Sequence, residues 1–170
     1  MSEQKLSPED EQALERYNRL LAPDTSDPTL SLLKAHLLIE EALFEYIATR
    51  VKHRNHLESA KLTFSQTYAI ARALSFYPDD WVWKGVKDLN RLRNRLAHHP
   101  EVVGFDESIE DLSTFVIASV GIPNSPATFD PLTAKGLRPE VRRQQLLARL
   151  TFALAMLYGV FRDRLVYGRA

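Results

Sequence analysis

Apolar residues recur along this chain at spacings of three and four, which is the period of an amphipathic helix and not the period of two of a half-buried strand. The clearest run consists of Val82, Val86, Leu89, Leu92 and Leu96. At about 100° per residue these side chains fall on one face of a helix. The pattern therefore predicts a helix that buries this face.

Other segments show the same period. Helices are predicted for the following ranges: about Thr29 to Val51, Leu57 to Leu74, Asp106 to Val120, and Pro139 to Val166. The second of these has a possible interruption at Thr63 to Ser65, and strand character stays open for the β-branched end Val116 to Val120. Two loops are predicted, the basic Lys52 to His56 and the proline-rich Gly121 to Pro139.

The first 28 residues form a separate unit in this interpretation. Ser7 and Pro8 followed by two acids are typical of a helix start, and Pro23 and Pro28 then interrupt the chain. We therefore predict a helical extension over residues 1–28 and a helical bundle over residues 29–170. The fold class is all-α, a single bundle of five or six helices arranged as two antiparallel pairs.

In the helix from Thr29 to Val51, one stripe of residues is expected to face the core: Leu30, Leu33, Leu37, Phe44, Ala48 and Val51. Glu41 falls inside this stripe and Glu40 stands at its edge. Either these acids lie at a solvated seam, or one of them pairs with an arginine that also faces the core, since two inward charges are tolerated mainly together.

Composition narrows the class of protein. The 170 residues, of which 45% are hydrophobic, are enough for one buried core. The formal net charge is zero, so any binding of nucleic acid has to be local. Cysteine is absent, and neither a signal peptide nor an apolar run of the ~20 residues of a membrane span is evident, so we expect a cytoplasmic protein with no membrane contact.

The chemically richest stretch is Asn90 to Pro100, with three arginines, two asparagines and two histidines. Arg93 lies four residues after Leu89, at the edge of the buried stripe, where its charge requires a partner. Asn94 and His98 are one turn apart, so the amide could orient the imidazole. The helix should end near His98, because the proline disfavours helical dihedrals for the residue before it, His99.

Two other groups of side chains could carry chemistry. His36, His53 and His56 suggest a metal site, but no carboxylate or cysteine stands beside them at ligand spacing, so we expect neither a metal nor a cofactor. Trp81 and Trp83 are expected to pack in the core, with stacking on an RNA base as the alternative.

The segment Arg93-Asn94-Arg95-Leu96-Ala97-His98 resembles the Arg-Asn-x-x-x-His signature of HEPN domains, small helical bundles found in prokaryotic toxins, antiphage proteins and regulators. The wider segment, together with Gly104 to Glu107 at the start of the next helix, is similar to bacterial proteins grouped with the mannitol operon repressor. Where many HEPN toxins carry a tyrosine two residues after the histidine, this chain has Pro100.

The resemblance implies metal-independent cleavage of RNA at a cleft between two protomers. His98 would exchange protons, Arg93 would hold the scissile phosphate, and Asn94 would orient a neighbour, with Arg95, His99, Glu40 and Glu41 in support. It also implies a homodimer and a possible antitoxin or regulatory partner.

The alternative is a non-catalytic regulator of transcription or an interaction module, in which Arg93 is a polar clamp of the bundle and His98 only ends a helix. A repressor that binds DNA directly has little support, because the sequence shows neither a helix-turn-helix pattern nor a net basic charge.

Overall fold

The computed structural model describes Glu15 and residues 27–98, 104–121 and 138–167, with side chains up to Leu165. Within these ranges there are six α-helices and no strand. They are α1 Pro28–Ala48, α2 Arg54–Ser59, α3 Phe64–Leu74, α4 Trp81–His98, α5 Phe105–Val120 and α6 Pro139–Arg162, and a π-helical turn, Asp163–Tyr167, follows α6. The all-α prediction is confirmed.

Local side-chain caps explain where several helices begin. The Asp27 carboxylate accepts a hydrogen bond from the backbone N–H of Thr29 at 2.8 Å, just before a proline in the first turn of α1. Thr63 and Gln66 form a capping box at the start of α3. Asp80 accepts from the backbone N–H of Val82 at 3.0 Å at the start of α4. These starts are therefore encoded locally.

The segment between α1 and α3 is more helical than predicted. The proposed loop Lys52 to His56 contains the first residues of α2, and the expected interruption lies slightly earlier, at residues 60–63. Arg54 stabilises α2, because its guanidinium pairs with Glu58 one turn later at 2.9 Å and with Glu45 of α1 at 2.6 Å. These ion pairs thus support a helix in a segment whose polar composition predicted a loop.

The buried face of α1 differs from the predicted one. Leu30, Leu33 and Leu37 are exposed, Leu37 by 63%, and Val51 lies beyond the end of the helix and is also exposed. Ala48 is buried as predicted, but the core otherwise receives a different set of side chains, Leu32, Ala35, Leu38, Ile39, Leu43, Tyr46 and Ile47. Because α1 is apolar on both faces, the period alone did not identify the side that packs.

Two contacts define the direction of the first long helices. The rings of His36 and Phe64 stack at 4.7 Å, and ten residues further along each helix the Tyr46 hydroxyl donates to the Leu74 carbonyl at 2.7 Å. Helices α1 and α3 therefore run parallel, because α2 and its turns return the chain to the level where α1 begins. The expectation of an antiparallel pair is wrong here. By contrast, α5 lies antiparallel to α4.

Trp83 of α4 lies at the centre of the core. Its ring meets Tyr68 of α3 and Phe161 of α6 edge to face, each at 5.4 Å, and its indole N–H donates to the Tyr77 carbonyl at 2.8 Å. Trp81 packs edge to face on Phe115 of α5 at 6.2 Å. The packing interpretation of both tryptophans is confirmed, and the burial of Trp83 excludes base stacking by its ring.

Helix α6 supplies much of the core. Leu150, Leu154, Leu157 and Phe161 are all but completely buried. By length and composition, Pro139–Leu165 is the single stretch of the described residues that could cross a membrane, with a mean hydropathy of 1.2. The core helix of a globular bundle meets the same criterion, so this is weak evidence for a membrane span.

Several predictions fall on residues outside the described ranges. They concern the N-terminal extension, of which Glu15 is helical, most of the loop Gly121 to Pro139, and the pair His99 and Pro100. Within the described part, residues Val116 to Val120 are helical, so the strand alternative is wrong there.

Candidate functional site

The motif residues occupy the last two turns of the described part of α4, Trp81–His98. The predicted helix end before Pro100 falls on residues outside the described ranges. Arg93 is half-buried and donates a hydrogen bond to the Asn94 side-chain oxygen at 3.0 Å. Asn94 is also half-buried, and His98, one turn later, is exposed. The guanidinium and the amide are therefore in direct contact, and the imidazole follows them at the open end of the helix.

Arg95 has a different role from its neighbours. It is exposed and donates to the Ser108 hydroxyl at 2.7 Å, and the same hydroxyl donates to the Gly104 carbonyl at 2.9 Å. This connection ties the end of α4 to the start of α5.

The structure adds a residue that the sequence interpretation had considered only as a possible metal ligand. His36 of α1 is 3% exposed, and its Nε2 lies 3.0 Å from the side-chain oxygen of Asn90 on α4. Its ring stacks on Phe64 of α3. His36 thereby joins three helices at the level of Asn90, which precedes Arg93 by one turn of α4. We call His36, Glu40, Asn90 and Arg93 the inner polar cluster.

Of Glu40 and Glu41, the two acids of α1 that the sequence singled out, Glu40 contacts this cluster. The Glu40 carboxylate lies 3.8 Å from Nδ1 of His36, and its side chain is 42% exposed. Glu40 therefore faces a histidine and also meets water. A pairing of Arg93 with Glu40 or Glu41 stays a prediction.

The position of His36 between helices disfavours its charged form. Burial lowers the pKa of His36 below its usual value of 6.5, and the nearby Arg93 charge lowers it further, while the Asn90 hydrogen bond and Glu40 act in the opposite direction. With the Asn90 oxygen as acceptor, Nε2 carries the proton and Nδ1 presents its lone pair towards Glu40. The polar chemistry at this level is therefore that of a neutral imidazole beside a guanidinium.

A lowered pKa in the folded state makes stability depend on pH. Below about pH 6.5 the unfolded chain binds more protons at His36 than the folded chain does, so the free energy of unfolding should fall as pH is lowered, by at most about 1.4 kcal/mol per pH unit for one group. We expect urea unfolding at pH 7.5 and pH 5.5 to show a smaller difference for His36→Gln than for the wild type. His53→Gln, at an exposed position, is the control. An unchanged pH dependence in His36→Gln would contradict the burial of a neutral imidazole.

The sequence did contain a signal for this cluster. His36 and Glu40 are one turn apart on α1, and Asn90 precedes Arg93 by three residues on α4. Each pair alone is unremarkable, and only the packing of α1 on α4 brings them together.

Metal binding is not favoured by the placement of the histidines. The rings of His53 and His56 lie 5.9 Å apart and edge to face at α2, whereas His36 is buried between helices. Among the described residues, no group of three histidine, cysteine, aspartate or glutamate side chains is arranged to hold a metal ion.

An arginine, an amide and an exposed imidazole on one helix end can bind an oxyanion and exchange a proton with a bound group. Arg93 and His98 are five residues apart, which is about 140° around an ideal helix, so they do not converge on one phosphate within a single chain. The resemblance to HEPN domains rests on these residues and on the helical architecture. Comparison with protein-family models, curated proteins and solved structures found no match.

Proposed function

We propose that this chain is a metal-independent RNA endonuclease of the HEPN type, with a toxin or antiphage role in the cytoplasm, whose site forms where two copies meet. The observation that carries the proposal is the contact of Arg93 with Asn94 next to the exposed imidazole of His98. A guanidinium fork matches the oxygens of a phosphate, and an imidazole can give or take a proton near neutral pH.

The proposed reaction uses the nucleophile that RNA carries itself. The imidazole of one His98 takes the proton of the substrate 2′-hydroxyl, and the 2′-oxygen then attacks the phosphorus. The bond from phosphorus to the 5′-oxygen breaks, and the imidazolium of the second His98 donates a proton to that leaving oxygen. Arg93 holds the non-bridging oxygens as their charge develops. DNA lacks the 2′-hydroxyl and is not a substrate of this reaction.

A homodimer is part of the proposal, because one protomer supplies one imidazole and the reaction needs an acid and a base. Twofold symmetry would bring two copies of the motif face to face. The exposed side chains of Leu30, Leu33 and Leu37 supply apolar surface at the start of α1. Such surface on a small domain is consistent with contact with a second copy.

The test is cleavage by purified dimer from a column monitored by light scattering. We expect cleavage of single-stranded RNA but not of DNA of the same sequence, activity that persists in a chelator, and 2′,3′-cyclic phosphate ends. Two coupled histidines should give a bell-shaped dependence of rate on pH. A strictly monomeric protein, or RNA left intact, would overturn the nuclease proposal.

The second candidate is a non-catalytic regulator or interaction module similar to the mannitol operon repressor group. The observation in its favour is that Arg93 is half-buried, bonded to Asn94 and next to the buried His36, as a structural clamp would be. Under this proposal, Arg93→Lys should lower the melting temperature, while RNA stays intact with wild type and variant alike.

A further inference from the structure

The outward face of α4 carries a row of exposed basic side chains. Lys84, Lys87, Arg91, Arg95 and His98 follow one another at separations of three, four, four and three residues. At about 100° per residue all five fall within a band about 80° wide, and at 1.5 Å per residue the band is about 21 Å long. We call these five residues the basic ridge.

The ridge keeps most of its charge. Asp88 borders the ridge and pairs with Lys84 at 2.5 Å and with Arg91 at 3.4 Å. Among the described residues, no ion pair is formed by Lys87 or Arg95, and the partner of Arg95 is a neutral hydroxyl. The chain as a whole has zero net charge, so the ridge is a local excess of positive charge and not part of a generally basic protein.

Acidic residues of α5 disfavour an anion on one side of the ridge. Helix α5 lies alongside α4, and its exposed surface carries Asp106, Glu107 and Asp111. A polyanion would therefore lie against the other edge, which is formed by Lys87 and His98 and borders Asn94. That edge leads along the helix to the motif.

We propose that the basic ridge binds the phosphate backbone of single-stranded RNA and leads the strand to His98, an inference that rests on the proposed nuclease function and names its substrate-binding surface. Cations repeated every 4.5 to 6 Å, at about 1.5 Å per residue, suit a backbone with regularly repeated charges. Such binding reads phosphates and not bases. It therefore takes RNA and DNA strands of any sequence, and the 2′-hydroxyl selects RNA at the chemical step.

Binding can be measured separately from cleavage. In a His98→Ala background, which slows cleavage, fluorescence anisotropy with labelled single-stranded RNA should show that Lys87→Ala with Arg91→Ala weakens binding roughly tenfold or more near 0.1 M salt. The slope of log affinity against log salt should become shallower by about 1.4, or about 0.7 for each lost phosphate contact. The matched control, Arg142→Ala with Arg143→Ala, removes the same charge from an exposed part of α6 and should leave both quantities unchanged.

The outcomes separate this inference from the proposed function. If the wild type binds RNA through the ridge but never cleaves it, the binding surface is supported and the nuclease proposal is wrong. If the ridge substitutions change RNA binding and cleavage no more than the control substitutions do, the proposed role of the ridge is wrong. If Lys87→Ala with Arg91→Ala abolishes the dimer but leaves RNA binding unchanged, the inference is also overturned. The ridge would then contact the acidic residues of α5 in a second copy.

Discussion

Replacing His98 by alanine should slow RNA cleavage by at least the ~10²-fold that general acid-base catalysis typically contributes, with no change in melting temperature. The side chain is exposed at the last residue of α4, so its removal leaves no cavity and takes nothing from the core. The measurement is the initial cleavage rate of single-stranded RNA, paired with a thermal melt. His56→Ala, an exposed histidine of α2, is the control and should affect neither quantity.

The same substitution also tests whether two copies share one site. If one His98 is the acid and the other the base, a mixed dimer of wild-type and His98→Ala chains is inactive. Activity then follows the square of the wild-type fraction, about a quarter in an equal mixture that exchanges freely, because twofold symmetry places one motif from each chain in the site. Activity of about one half would indicate that each protomer works alone. Undiminished cleavage by His98→Ala itself would remove the nuclease assignment.

Phe161→Ala should lower the free energy of unfolding by about 3 to 5 kcal/mol, the usual cost of deleting a buried phenyl ring. Phe161 is completely buried in α6 and meets Trp83 edge to face at 5.4 Å. The loss combines the transfer of apolar surface with the cavity that its neighbours cannot fill. Urea unfolding monitored by tryptophan fluorescence measures it directly, since Trp83 is beside the deleted ring.

The chain offers a matched control for this change. Phe76 is 76% exposed, so Phe76→Ala should cost no more than about 0.5 kcal/mol. Equal effects of the two substitutions would contradict α6 as a core helix. The comparison therefore bears on the alternative that Pro139–Leu165 serves as a membrane span, in which Phe161 would not stabilise a bundle in water.

Part of the candidate site could be predicted from the sequence. The period of α4 located its buried residues and placed Arg93 at the edge of that face. These are local properties of about 18 residues, and the structure has α4 from Trp81 to His98. The sequence did not predict His36 as a polar partner, because its hydrogen bond to Asn90 joins residues 54 positions apart.

By itself the sequence determined the all-helical class, the caps at Asp27, Thr63 and Asp80, and the order of side chains along α4, because each depends on interactions within about one turn. Only the tertiary structure decided which face of α1 is buried, since its leucines allow either. It alone decided that α1 and α3 run parallel, and that a neutral His36 lies between Phe64 and Asn90 one turn from Arg93. Such choices depend on how distant surfaces fit together, and a helical period carries no information about its partner.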